Sequence, residues 1–169
     1  SIALNCGDTA IHASTAVSEE NPAPAANGIA SNCTGESTGG SGIVATTAIN
    51  CRGTSGSKPG ITATAVSNCH GESTDGCGIS CTTAGDSFGS SVNSTGLSAA
   101  TANNCYGYSY NGWGLYATEA TTCHGKSEHG TYGLRVENTA TGCTGEIVEA
   151  SSTDGSCGLY AGNASNCTG

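Results

Sequence analysis

The string Asn68-Cys69-His70-Gly71-Glu72 brings a thiol, an imidazole and a carboxylate together, the side-chain types of a metal site or an activated nucleophile. A similar string, Thr122-Cys123-His124-Gly125-Lys126, stands further along. Neither chemistry suits the spacing. Neighbouring residues of an extended strand point to opposite faces, so each cysteine is turned away from the histidine beside it. With strands stacked about 4.8 Å apart, three layers separate the two histidines by roughly 14 Å, too far to share one tetrahedral ion. No cofactor is expected. The strings belong to a repeat, which returns as NCTGEST at 32–38, NCRGTSG at 50–56 and NCYGYSY at 104–110.

Counted from Cys33, the repeat places Cys51, Cys69, Ser87, Cys105 and Cys123 at an even 18-residue interval. Cys143 and Cys167 follow at 20 and 24, the mark of loop insertions in the last turns. A fixed period of about 20 residues defines a solenoid, in which each turn buries its faces only against its neighbours. Eight residues before the cysteine position stands an aliphatic side chain, Ile43, Ile61, Ile79, Leu97 or Leu115, followed by Leu134 nine before Cys143 and Leu159 eight before Cys167. Two residues later comes a smaller one, Ala45, Ala63, Cys81, Ala99, Ala117, Val136 or Ala161. This alternation is strand geometry with both columns inward.

A second alternating trio starts at the cysteine, with glycine two and serine four residues later in most turns, as in Cys105-Tyr106-Gly107-Tyr108-Ser109. Glycines just before the aliphatic residue mark corners that need positive φ or a close backbone approach. Asn32, Asn50, Asn68, Asn104 and Asn166 precede cysteines, and stacked amides of this kind form hydrogen-bonded ladders. The spacing predicts an all-β parallel β-helix of 18-residue turns, right-handed, with about eight to nine turns and a length on the order of 40 Å. Residues 28–169 carry the repeats. Residues 1–27 form an irregular N-terminal cap or first turns, broken by Pro22 and Pro24, although Ser1–Gly7 echoes Gly28–Gly35.

Composition agrees with a thin rod. Among 169 residues there are 27 glycines, one phenylalanine, one tryptophan and no methionine, too few large apolar side chains for a broad core. A net charge of −9 with four scattered basic residues, Arg52, Lys58, Lys126 and Arg135, excludes a nucleic-acid footprint. No run of about 18 apolar residues is present to insert in a membrane.

Eleven cysteines in a polar chain rich in serine and threonine point to a secreted, extracellular or cell-surface protein. The column Cys33, Cys51, Cys69, Cys105, Cys123, Cys143 and Cys167 admits two readings: small buried thiols, or disulfides between turns. Cys77 and Cys157 fall in a different, outward column. With Cys6 and Cys167 near the ends, they are the candidates for intermolecular bonds, since an odd count leaves one thiol over. An outward column of His70, Phe88, Tyr106 and His124, near Tyr108, Trp113 and Tyr116, forms a candidate aromatic contact face.

The GI-x-A and NC-x-G strings of residues 28–169 give the chain its family likeness. It resembles the parallel β-helix repeat proteins of bacterial surfaces, a resemblance that implies an extracellular solenoid and hands over no catalytic residues. The expectation is a non-enzymatic structural protein. Its partner is itself, in a homopolymer built by end-to-end strand addition, because the chain stops in mid-repeat at Asn166-Cys167-Thr168-Gly169 with no polar cap. The alternative is a module for extracellular polysaccharide, using Tyr106, Tyr108, Trp113 and Tyr116. A polysaccharide lyase is a third reading, and its carboxylates Asp8, Asp75, Asp86 and Asp154 are scattered.

Overall fold

The computed structural model describes residues 2–6, 11–12, 28–149 and 155–169. They fold as a β-solenoid of two parallel sheets. The first sheet stacks β1 (Ile2–Cys6), β4 (Thr34–Ser37), β6 (Arg52–Ser55), β8 (His70–Ser73), β10 (Phe88–Ser91), β12 (Tyr106–Ser109), β14 (His124–Ser127) and β16 (Thr144–Ile147). The second stacks β2 (Ile11–His12) and β3 (Ile29–Ser31), both against β5 (Ile43–Ile49). It continues through β7 (Ile61–Ser67), β9 (Ile79–Gly85), β11 (Leu97–Asn103), β13 (Leu115–Thr121), β15 (Tyr132–Thr141) and β17 (Cys157–Ser165). Register follows the repeat, so Phe88 lies between His70 and Tyr106, and Leu97 between Ile79 and Leu115.

First-sheet strands begin one residue after the cysteine. The residue before it has left-handed φ, from 50° at Asn104 to 61° at Gly142, and this turns the chain so that the cysteine is a corner residue facing inward. Asparagine tolerates that conformation better than most side chains. Its amide also bonds along the corner, Asn68 Nδ2 to Asn50 Oδ1 at 2.7 Å and Asn104 Nδ2 to Asp86 Oδ1 at 2.6 Å.

Second-sheet strands bury the aliphatic residue and the small one after it, then change phase. In β7, Ile61, Ala63 and Val66 are buried. The change of phase creates a third inward column, Ala48, Val66, Ala84, Ala102, Ala120 and Ala140, which strict alternation conceals. The aliphatic column from Ile43 to Leu134 is wholly buried, each side chain contributing about 1.5–3 kcal/mol.

Between the sheets the interior narrows to backbone against backbone. A Cβ on Gly42 would lie 2.6 Å from Thr54 N and 2.7 Å from Gly35 O, so close approach, and not positive φ, requires glycine there. Two residues after the first-sheet glycine, as at Gly107 and Ser109, stands a buried serine that clips two turns together. Ser109 Oγ accepts from Gly112 N at 2.8 Å and donates to Ser94 O in the preceding turn at 2.6 Å. Ser55, Ser73, Ser91 and Ser127 make the same pair of bonds. Buried corner polar groups are thereby paired without water.

The irregular turns have two sources. β15 carries a bulge, since Ala117 and Glu119 pair with Val136 and Thr139. The corner from Glu128 to Gly133 is also one residue longer than that from Tyr110 to Gly114. At the other end, the echo of Gly28–Gly35 in Ser1–Gly7 is not structural: β1 pairs with β4 in the first sheet, whereas Ile29–Ser31 lies in the second. The remainder of the expected cap, residues 1, 7–10 and 13–27, lies outside the described residues.

Among the described residues no disulfide joins the turns. All ten described cysteines, Cys33, Cys51, Cys69, Cys77, Cys81, Cys105, Cys123, Cys143, Cys157 and Cys167, are free thiols. In-register parallel strands hold equivalent side chains side by side about 4.8 Å apart, beyond the Cβ separation of about 3.5–4.5 Å that a disulfide needs. The thiols instead serve as hydrogen-bond relays. Cys69 Sγ donates to Ser67 O at 3.2 Å and accepts from Cys51 N at 3.3 Å. Ser87 takes over both bonds in its own turn, to Gly85 O at 2.7 Å and from Cys69 N at 3.1 Å.

A serine that fits this column predicts that Cys69→Ser leaves stability within about 0.5 kcal/mol, whereas Cys69→Ala costs about 1 kcal/mol for the lost bonds. Urea denaturation of both variants checks this, and an Ellman titration of unfolded protein should return at least the ten thiols. Thr122 is a β-branched residue at φ 50° in the asparagine column. Thr122→Asn should raise stability by about 1 kcal/mol, read from the shift in urea midpoint.

Candidate functional site

The aromatic residues divide between two faces. On the first sheet the residue after each corner points outward, and in-register pairing stacks His70, Phe88, Tyr106 and His124 into one row. Phe88 and Tyr106 are 5.3 Å apart between centroids and inclined by only 10°. His70 meets Phe88 at 4.6 Å and His124 meets Tyr106 at 4.9 Å, both tilted. Each inner ring is thus flanked on both sides by neighbours and offers its edge to solvent. Tyr108 stands in the next outward column between Ser90 and Lys126.

Beside the row runs an open groove of about 920 Å³, floored by the cysteine corner and bordered by Asn50, Asn68, Asp86 and Asn104. Charges on this sheet neutralise one another. Arg52 Nη2 is 2.9 Å from Glu72 Oε1, an oxygen that His70 Nε2 approaches to 2.7 Å without hydrogen-bond alignment. Lys126 Nζ lies 3.5 Å from Glu146 and 3.8 Å from Glu128. Half-exposed pairs of this kind contribute little to stability.

Trp113 and Tyr116 belong to the opposite corner and the second sheet. Trp113 sits between Gly112 and Gly114, whose close backbone packing leaves no inward room for a side chain. Tyr116 follows the buried Leu115 and therefore points outward. Register places Arg135 beside Tyr116 and Tyr160 beside Arg135. The rings touch in sequence: Tyr116 to Trp113 at 5.6 Å, Trp113 to Tyr132 at 5.9 Å, Tyr132 to Tyr160 at 5.5 Å. The Arg135 guanidinium carbon lies inside this arc, 4.8 Å from the Trp113 ring centroid, 5.6 Å from Tyr132 and 5.9 Å from Tyr116 and Tyr160. Cation–π attraction of about 0.5–2 kcal/mol per favourable contact holds it there.

Tyr132, Arg135 and Tyr160 were not among the residues expected from sequence to form a contact face, since they lie in the turns that depart from the regular period. A signal for them existed. Leu115, Leu134 and Leu159 share one inward column, so Tyr116, Arg135 and Tyr160, each the following residue, share one outward column. Conversely, Tyr106 and Tyr108 are on a different sheet from Tyr116 and do not join it in one platform.

Most of the cysteine column lies in the interior. Cys33, Cys51, Cys69, Cys105, Cys123 and Cys143 are buried, Cys77, Cys157 and Cys167 half-buried, and the side chain of Cys6 is not among those described. Within the pairs Cys51–Cys69 and Cys105–Cys123, the second thiol keeps its proton, held up by its bond to the first and by burial. Among the described residues no three of histidine, cysteine, aspartate and glutamate gather as a metal site. No described helix is long and apolar enough to cross a membrane.

These features define a parallel β-solenoid with an aromatic nest on one edge and an aromatic row on another. No protein family, curated protein or solved structure matches the chain.

Burial, with a smaller contribution from Cys105, pushes the Cys81 thiol up to about 12 from its ordinary value of 9.0. The unfolded chain therefore loses this proton first as pH rises. Stability should be constant below pH 9.0 with respect to this group and fall from there towards about 12. Alanine fills the same column at Ala63, Ala99 and Ala117. Cys81→Ala should be nearly neutral at pH 7 and should flatten the alkaline limb of a thermal-melt series against pH.

Proposed function

We propose that this protein is a non-catalytic, extracellular carbohydrate-binding module of adhesin type, with the nest of Trp113, Tyr116, Tyr132 and Tyr160 around Arg135 as its binding site. The observation that carries the reading is the convergence of four large rings, each half-exposed or exposed, on one guanidinium. Aromatic side chains supply wide contact area at low conformational cost, and the guanidinium adds donors fixed in direction. That combination suits a sugar, which presents apolar C–H faces bordered by hydroxyl groups. The solenoid frame holds the rings at positions set by backbone register, so little ordering is left to be done on binding.

The row from His70 to His124 ranks second as a sugar platform, because its inner rings spend their faces on each other. Homopolymer assembly by end-to-end strand addition also remains a proposal. It requires open edge strands, which every open solenoid has, whereas the nest is particular to this chain. Extracellular placement is part of this proposal and is supported by the polar, serine- and threonine-rich composition.

The test is retention of the purified protein on a panel of immobilised polysaccharides. Binding to at least one polymer is expected, with Trp113→Ala weakening it about tenfold or more while Phe88→Ala leaves it within about twofold. Circular dichroism controls for folding. Absence of retention across the panel, or an unaffected Trp113→Ala, would remove the reading, and filaments in negative-stain micrographs would then bring the homopolymer forward.

A further inference from the structure

Arg135 differs from two of the other cations of this chain. Arg52 and Lys126 are each paired with glutamates. Arg135 forms no ion pair and donates no hydrogen bond among the described residues, and its Nε is buried without an acceptor. The rings that surround it attract the charge but accept none of its five N–H groups in the plane of the guanidinium. The carboxylate two residues along, Glu137, is engaged by the Tyr116 hydroxyl. That bond holds the Tyr116 phenol above its ordinary value, so at neutral pH the tyrosine remains a donor to Glu137. Leaving the buried Nε–H unmet costs free energy, and the nest accepts that cost in a chain of net charge −9. The planar fork is the natural partner of a planar, bidentate oxyanion.

We propose that the nest recognises a carboxylated sugar, so that the ligand is an acidic polysaccharide whose uronic-acid units place their C–H face on the rings and their carboxylate on Arg135. The proposal rests on the glycan-binding reading above and narrows it to one substrate class. It has an electrostatic corollary. A chain of net charge −9 repels a polyanion at long range, and salt screens that repulsion over about 10 Å at 0.1 M, while the partly desolvated contact at Arg135 is screened less. Affinity therefore holds or rises as salt goes from low to physiological, opposite to the behaviour of a basic patch.

Isothermal titration of the full chain with a β-1,4-linked uronic-acid oligosaccharide and with its neutral methyl ester provides the test. The acid should bind about tenfold or more tightly than the ester, the difference a charge-assisted bidentate contact supplies. Arg135→Gln should bring the two ligands to equal affinity, and Arg135→Lys, which keeps the charge and loses the fork, should recover only part of the preference. If Arg135→Gln fails to fold, Arg135→Lys carries the test, and an undiminished preference in it overturns the proposal. Equal binding of acid and ester by the parent protein, or an acid preference untouched by Arg135→Gln, also overturns it and leaves glycan binding standing. Binding of neither ligand, together with retention on a neutral polysaccharide, overturns the acidic class alone. Binding of neither ligand and of no polysaccharide removes both readings.

Discussion

The contact on which the structure depends is backbone lying against backbone between the two sheets. At Gly42 an added methyl group would sit 2.6 Å from a peptide nitrogen of the facing strand, and Gly107 and Gly114 are likewise closed to any side chain. So close an approach leaves no space for a conventional hydrophobic layer along that half of the cross-section. Polar backbone groups at the corners are cut off from water there, and each must find a partner within the chain. Buried serines and thiols supply the partners. The Ser109 hydroxyl and the Cys69 thiol each accept from one turn and donate to a carbonyl, so the same atoms that satisfy the corners also fix the register between turns.

Fixed register explains why the outer surface is organised in columns. A solenoid is nearly one-dimensional in its energetics, with each turn stabilised by its own packing and by its contacts to adjacent turns. Inward positions repeat because every layer meets the same constraint. Outward positions are free to vary, and the register then delivers whatever they carry to neighbouring outward positions one layer away. His70, Phe88, Tyr106 and His124 come together in this way, and so do Tyr116, Arg135 and Tyr160.

Much of the frame was legible in the chain because the constraint is periodic. Glycine, serine, cysteine and aliphatic columns recur once in each turn, and each recurrence has a steric or hydrogen-bonding cause. The alanine column from Ala48 to Ala140 was hidden by the phase change within the second-sheet strands, where inward residues stand two and then three apart. The thiols were open to a wrong reading for a different reason. An abundance of cysteine suggests oxidation, but the side-by-side geometry of parallel layers disfavours the bond, and Ser87 shows that the column asks only for a small donor and acceptor. The shared column of Tyr116, Arg135 and Tyr160 was readable from the leucines before them, whereas the separation of Tyr106 from Tyr116 depends on which corner divides the sheets.

The nest stands where the regular pattern is broken. Its member Tyr132 lies in the lengthened corner, Arg135 between that corner and the bulge of β15, and Tyr160 follows in the last turn, which is longer still. Strict repetition of the preceding turns would have placed small polar residues such as Ser80 and Ser98 in that outward column. Departures from a local rule cost stability and persist where something compensates for them. Cation–π contacts around Arg135 compensate in part, yet they leave its buried Nε without an acceptor. A purely structural strut would be served as well by an apolar side chain, which packs against rings without unmet donors. On the proposed reading, a ligand that supplies acceptors completes this arginine where the fold leaves its Nε unmet.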